Sequence, residues 1–152
     1  MSEISIRPLV SSDLTKICAI ETKATLFPWT EKAHQDSIEA GYPSLVLTSN
    51  NQLAGFIVFN YLADECHLLN IVVATEFQGK GFAKILIAEM LKKARSNQMS
   101  QVILEVRRSN LAAISLYQQL GFSQIGVRKD YYRGHLLAQS SREDAIVMQK
   151  AL

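Results

Sequence analysis

The sequence predicts a single α+β domain, residues 1–152, built on a mixed and mostly antiparallel sheet. Three observations carry this. The stretch SLVLTSNNQLAGFIVFNYLADECHLLNIVVA (44–74) reads as consecutive strands joined by tight turns. Residues 67–106 then form a strand–helix–strand unit, whose two strands run parallel through a right-handed crossover. Two further strands, at about 123–129 and 144–150, close the chain. Because a meander precedes the crossover, a doubly wound sheet is excluded.

The elements follow in order. ISIRPL (4–9) alternates apolar and polar residues as a half-buried strand does. Ser11 and Ser12 are candidate caps for a helix whose inner face is Leu14, Ile17, Cys18 and Ile20. ATLFPWT (24–30) is a loop, and its last residue, Thr30, caps a second helix that Gly41 ends. Asn50-Asn51 marks a hairpin turn, and ADE (63–65) makes the next reversal. A long helix at about 81–97, a strand QVILEV (101–106) and a short helix capped by Asn110 and closed by Gly121 come next. The resulting order is βααβββαβαββ.

Composition narrows the function classes. With 48% hydrophobic and 20% charged residues and a net charge of +2, the chain is a globular protein with no dedicated nucleic-acid surface. No apolar run approaches the roughly 18 residues of a spanning helix, and MSEISIRPLV lacks a signal-peptide layout. A cytoplasmic protein with no membrane partner is expected. Cys18 and Cys66 are far apart without a CxxC, as core thiols in a reducing compartment would be. His34, His67 and His135 are scattered, so no metal is expected.

The stretch VVATEFQGKGFAKILIAEMLKKA (72–94) runs from an apolar strand through two glycines into an apolar helix. The dinucleotide fingerprint G-x-G-x-x-G fails because Lys84 stands at its last position, and no Walker A sequence is present. What remains is Q-x-x-G-x-A, at Gln78, Gly81 and Ala83. Gly79 and Gly81 allow close backbone approach to an oxyanion, the helix start adds unpaired N–H groups, and Lys80 and Lys84 add charge. A glycine-softened strand-to-helix turn with no ligand fits the same residues.

A second constellation is VILEVRRSNLAAISLYQQLGF (102–122). Alternation puts Val102, Leu104 and Val106 on one face of the strand and Ile103, Glu105 and Arg107 on the other. Glu105 is either ordinary surface or a carboxylate with a task. Tyr117 shares a helix stripe with Ala113, Leu116 and Leu120, as a core tyrosine or as a donor facing a site.

Together these residues resemble the GNAT acetyltransferase superfamily: Q-x-x-G-x-A after an apolar strand, then LEVRRSNLAAISLYQQLGF. FPW (27–29), LLNIVV (68–73), DYY (130–132) and REDAIVM (142–148) are similar to the bacterial RimI branch, which acetylates N-terminal alanines. The resemblance implies the GNAT fold, in which a splayed parallel strand pair, flanked by helices, receives the pantetheine arm of acetyl-CoA. Ile71, Val72 and Val73 would meet that arm, with the Val73 N–H polarising the thioester. Gly79, Lys80, Gly81, Phe82, Ala83 and Lys84 would hold the pyrophosphate, and Asn110 would contact the arm.

Glu105 would be the general base, and Tyr117 would hydrogen-bond the leaving thiolate or protonate it as general acid. Phe27, Trp29, Asn70, Tyr131 and Tyr132 would shape the acceptor groove. The implied acceptor is the N-terminal alanine of small-subunit ribosomal protein eighteen, taken by a monomer without direct nucleic-acid contact. Two features depart from the pattern. QGKGFA replaces an arginine-rich loop, reducing cationic help, and the 133–143 connection is longer than usual.

Overall fold

The computed structural model describes residues 3–134 and 142–152, so His135 and most of the 133–143 connection lie outside the described residues. Seven strands and four α-helices alternate as β1 (Ile4–Pro8), α1 (Leu14–Ala24), α2 (Glu31–Glu39), β2 (Ser44–Ser49), β3 (Gln52–Leu62), β4 (Glu65–Val73), α3 (Phe82–Ser96), β5 (Gln101–Arg107), α4 (Leu111–Gln119), β6 (Ser123–Arg133) and β7 (Arg142–Ala151). The strands form one sheet in the order β1-β2-β3-β4-β5-β7-β6, with β4–β5 its one parallel pair among the described residues. The α+β class and the mixed, mostly antiparallel sheet are therefore as the sequence predicts. The β4–β5 ladder pairs Glu65 with Gln101 and ends at Leu68 with Leu104, while β4 runs on to Val73 and β5 to Arg107.

Contacts gather the chain into two compact units, one of residues up to Asn60 with Leu69–Met90, the other of Tyr61–Leu68 with Leu91–Leu152. In the first, Ile17, Val46, Phe56, Val58 and Val72 make a buried cluster, edged by Leu9, Ile20, Ala24, Trp29, Tyr42 and Leu53. Each large apolar side chain so buried contributes about 1.5–3 kcal/mol. β2 and β3 meet at a two-residue turn in which Asn50 (φ 50°) and Asn51 (φ 66°) are both left-handed, the backbone that matches the twist of a hairpin. At Gly55 a Cβ would come 2.8 Å from the carbonyl oxygen of Val72 and 3.4 Å from Val73 Cα, so β3 admits no side chain there.

Thr30 caps α2 as expected, its hydroxyl accepting from the Ala33 N–H. Ser11 and Ser12 do not cap α1. They form a short 3₁₀ turn. Asp13 stands at the N-cap position of α1 but makes no side-chain capping bond, its carboxylate accepting instead from the Val10 N–H and, through both oxygens, from the Arg7 guanidinium at 2.8 and 2.9 Å. That hydrogen bonding from Arg7 holds the Asp13 carboxyl below its ordinary range despite burial. A serine hydroxyl offers neither the charge nor the reach to pair with Arg7.

In the second unit the apolar residues of β5, Val102, Leu104 and Val106, are buried as alternation predicts. Asn110 caps α4 by accepting from the Ala113 N–H at 3.2 Å, and Gly121, at φ 94°, closes the helix. Both cysteines are free thiols, and burial pushes Cys66 up to about 12. No helix among the described residues is long and apolar enough to cross a membrane.

Candidate active site

In the first unit the end of β4 leads into the glycine loop. The Ala74 N–H donates to the Ala54 carbonyl on β3 at 2.8 Å. Strand alternation then turns the peptide groups of Val73 and Ile71 away from β3. On that side the Gln78 amide donates to the Val73 carbonyl at 3.1 Å, joining strand to loop. Gly79 (φ 80°) and Gly81 (φ 81°) are both left-handed, and neither has an atom within 4 Å of where a Cβ would lie. Torsion alone calls for glycine there.

The first intrahelical bond of α3 runs from the Ile85 N–H to the Gly81 carbonyl. The N–H groups of Phe82, Ala83 and Lys84 thus stand at the open, positive end of the helix. Phe82 has only its N–H to offer, because its ring is buried and stacked on Phe77 at 6.1 Å. Lys80 lies over the Phe77 ring, and Lys84 is exposed.

The same unit holds a polar group that the sequence reading misses. Glu21 is fully buried on α1, its Oε1 2.6 Å from His34 Nε2 and its Oε2 accepting from Asn70 Nδ2 at 2.8 Å. Trp29 tilts against the His34 ring with centroids 5.1 Å apart. Trp29 and Asn70, both expected near the acceptor, are therefore tied to one buried pair. Phe27 is half-buried in the preceding loop, its N–H on the Thr25 hydroxyl. The available signal was position: Glu21 is four residues after Ile17, on the buried stripe of α1.

In the second unit Glu105 is half-buried on β5. Its Oε1 lies 3.5 Å from Arg128 Nε, and its buried Oε2 has no hydrogen-bond partner among the described residues. Tyr132 is beside it: burial first, then the Glu105 charge, pushes that phenol up to about 12. Burial, with Tyr132 adding, likewise pushes Tyr117 up to about 12. Both phenols are donors across the neutral range. The Arg107 guanidinium stacks on the Tyr132 ring at 4.4 Å, and Tyr131 is exposed beneath Arg128.

These tyrosines sit where β6 departs from regular pairing, between Arg128 and Tyr132, with Asp130 left-handed at φ 53°. The strand that sequence ends near 129 runs on to Arg133 because β7 pins the irregular stretch. Asp144 accepts from the Asp130 N–H at 2.9 Å, and Arg142 donates to the Asp130 carbonyl at 2.7 Å. Glu143 accepts from Arg107 at 3.2 Å and from the Ser109 N–H at 2.7 Å. Burial pushes its carboxyl up, but those bonds outweigh burial and the net direction is down. The RED stretch thus serves as scaffold for the paired tyrosines.

In the first unit, a strand ending in outward peptide groups and a glycine turn into a helix N-terminus suit a phosphate-bearing donor. In the second, a carboxylate whose buried oxygen has no partner among the described residues, beside protonated phenols, suits proton transfer. The profile of the acetyltransferase (GNAT) family matches residues 13–122, and the chain belongs to that family as an acyltransferase of its RimI type. The family's acetyl donor is acetyl-CoA.

Relatives lie along nearly its whole length. The chain is 35% identical over 144 residues to the ribosomal protein bS18-alanine N-acetyltransferase of Escherichia coli K12, covering 95% of each chain. It is 36% identical over 151 residues to that of Salmonella typhimurium, covering 97% of this chain and 96% of the relative. The crystal structure of the ribosomal-protein-S18-alanine N-acetyltransferase from Escherichia coli superposes with a TM-score of 0.89 at 34% identity, covering 98% of this chain and 94% of the other.

Proposed function

We propose that the chain, working as one catalytic domain, transfers the acetyl group of acetyl-CoA to the N-terminal α-amine of a protein, with the N-terminal alanine of ribosomal protein bS18 as acceptor. The observation that carries the chemistry is the buried Glu105 oxygen that has no hydrogen-bond partner among the described residues, a proton acceptor left for the reaction. The acceptor rests on the relatives, whose names specify that alanine.

Each group has a task in this reading. The peptide groups of Ile71 and Val73 hydrogen-bond the pantetheine arm as a strand would, with Val72 buried behind them. The Val73 N–H polarises the thioester carbonyl and stabilises the oxyanion that forms on attack. Gly79, Gly81 and the N–H groups of Phe82, Ala83 and Lys84 hold the pyrophosphate, with Lys80 and Lys84 screening it. Asn110, its oxygen engaged as a cap, would contact the arm through its amide nitrogen.

An α-amine has a pKa near ~7.7–8 against ~10.4 for lysine, so roughly one terminus in four is neutral at pH 7.4 but only about one lysine in a thousand. Glu105 takes the remaining proton, directly or through water, which suffices for the first and serves the second poorly. The amine attacks the carbonyl carbon, and the tetrahedral intermediate collapses with release of a thiolate. Tyr117 hydrogen-bonds that sulfur. Phe27, Trp29, Asn70, Tyr131 and Tyr132 receive the acceptor's first residues.

Intact-mass analysis of peptides incubated with acetyl-CoA tests the reading. Peptides beginning with alanine, methionine or tryptophan are compared with a lysine peptide whose N-terminus is blocked. One acetyl group on the alanine peptide alone is the expected result. Acetylation of lysine alone moves the acceptor elsewhere, and acetyl-CoA binding without any transfer makes the chain a binding module.

A further inference from the structure

Glu21 and His34 are among the most deeply buried side chains of the first unit, 3% and 1% exposed, yet neither belongs to the machinery above. A buried carboxylate is costly unless its oxygens are satisfied, and apolar residues of similar volume would fill the space as well. A carboxylate only accepts, so both neighbours must turn donors toward it: His34 its Nε2–H, Asn70 its amide nitrogen. The imidazole cannot rotate out of this arrangement, held by Trp29 at 5.1 Å and by the edge of Phe56 at 5.5 Å. Its Nδ1 is buried without a partner among the described residues, consistent with the proton being on Nε2.

The consequence falls on Asn70. With its nitrogen fixed on Glu21, its Oδ1 is the group turned away from the carboxylate, on a half-buried side chain beside exposed Leu69. We infer that Glu21 and His34 are positioning residues, which hold Asn70 Oδ1 as a hydrogen-bond acceptor for the N–H of the incoming α-amine. This rests on the reading that the acceptor is a protein N-terminus.

The arrangement has a chemical logic. A carboxylate in direct contact would favour the ammonium form and hinder the proton loss that attack requires. A neutral amide oxygen polarised by a carboxylate behind it attracts an N–H donor with less preference for the charged form. Glu21 therefore aligns the amine through Asn70 without touching it.

A double-mutant cycle read on the peptide KM tests this. Asn70→Ala is expected to raise the KM of the alanine peptide by about 5- to 10-fold, with the KM of acetyl-CoA unchanged. Glu21→Gln supplies one accepting oxygen for two donors, and is expected to raise peptide KM by about 3- to 5-fold. The double variant should match Asn70→Ala alone, since Glu21 acts only through it. His34→Gln provides a second entry to the cycle if Glu21→Gln folds poorly, and thermal melts of each variant monitor folding.

Additive effects on peptide KM, or equal changes in the KM of acetyl-CoA, would mean that the pair merely supports the core and would overturn the inference. The cycle is run on whichever peptide the wild type acetylates. A wild type that ignores alanine but modifies lysine defeats the N-terminal reading independently, while additivity with an active wild type defeats only the positioning role. A wild type that acetylates no peptide overturns both.

Discussion

Replacing Glu105 by glutamine is expected to lower kcat for an alanine-initiated peptide by about 10²- to 10⁴-fold, the range for removing a general base, with acetyl-CoA affinity unchanged. Glutamine keeps the size of the side chain and can still face Arg128 with its amide oxygen. What it lacks is basicity at the oxygen that has no partner among the described residues. The fold should survive, because the Glu105–Arg128 pair is long, at 3.5 Å, and Arg128 is 59% exposed. Pairs of that kind contribute about 0–1 kcal/mol. Steady-state rates of thiol release, with acetyl-CoA affinity measured separately, check the result. Retention of a tenth or more of the wild-type kcat would remove Glu105 from the role of base. A parallel loss of acetyl-CoA binding would make it a structural residue.

For Tyr117→Phe, a kcat loss of about 10- to 100-fold is expected, the value of a hydrogen bond to a charged group. The raised pKa defines what the phenol can do. At about 12 it keeps its proton throughout the working range. Full transfer to a thiolate whose acid has a pKa near ~8.5 would run uphill by roughly 3–4 units. Tyr117 therefore stabilises the departing sulfur by donation, and the thiolate collects its proton from solvent.

The same group leaves a mark on stability. Between its ordinary value of 10.0 and about 12, the unfolded chain has released the proton while the folded chain retains it. The unfolded state then binds fewer protons, so stability, undiminished below pH 10, falls as pH rises through that window. Urea midpoints for Tyr117→Phe should decline less between pH 9 and 11 than those of the wild type, and Tyr132 preserves part of the decline. Equal slopes in the two proteins would show that Tyr117 ionises normally.

Local chemistry was legible in the sequence where a residue's partner is near in the chain. Thr30 and Asn110 cap their helices through N–H groups three residues on, and Asn50-Asn51 turns a hairpin through its own backbone. The alternation in 101–106 placed Glu105 opposite the buried face because strand period depends on nothing distant. Distant partners were the difficulty. Neither serine caps α1, and the Asp13 carboxylate at its start is taken up by Arg7, which β1 brings to it. Glu21 is satisfied by His34 and by Asn70, 49 residues away, so although its helix stripe points inward, the partners that make its burial tolerable show only once α1, α2 and β4 are assembled. The extension of β6 past 129 depends on Asp144 and Arg142, across a hairpin. Carboxylates are expected outside until a partner is known.

Gly55 matters to anyone who would redesign the chain. A glycine inside a strand is the first position a stabilisation campaign would change, since β-branched residues suit strands better. Here even a methyl group would meet the Val72 carbonyl at 2.8 Å and press on the backbone of Val73. Position 55 is thus closed to the usual consensus repair, and belongs outside any library. The same closure makes Gly55→Ala a lever at a distance: it should weaken acetyl-CoA binding while altering no residue assigned to the donor. Unchanged acetyl-CoA affinity in that variant would show that β4 can yield without consequence.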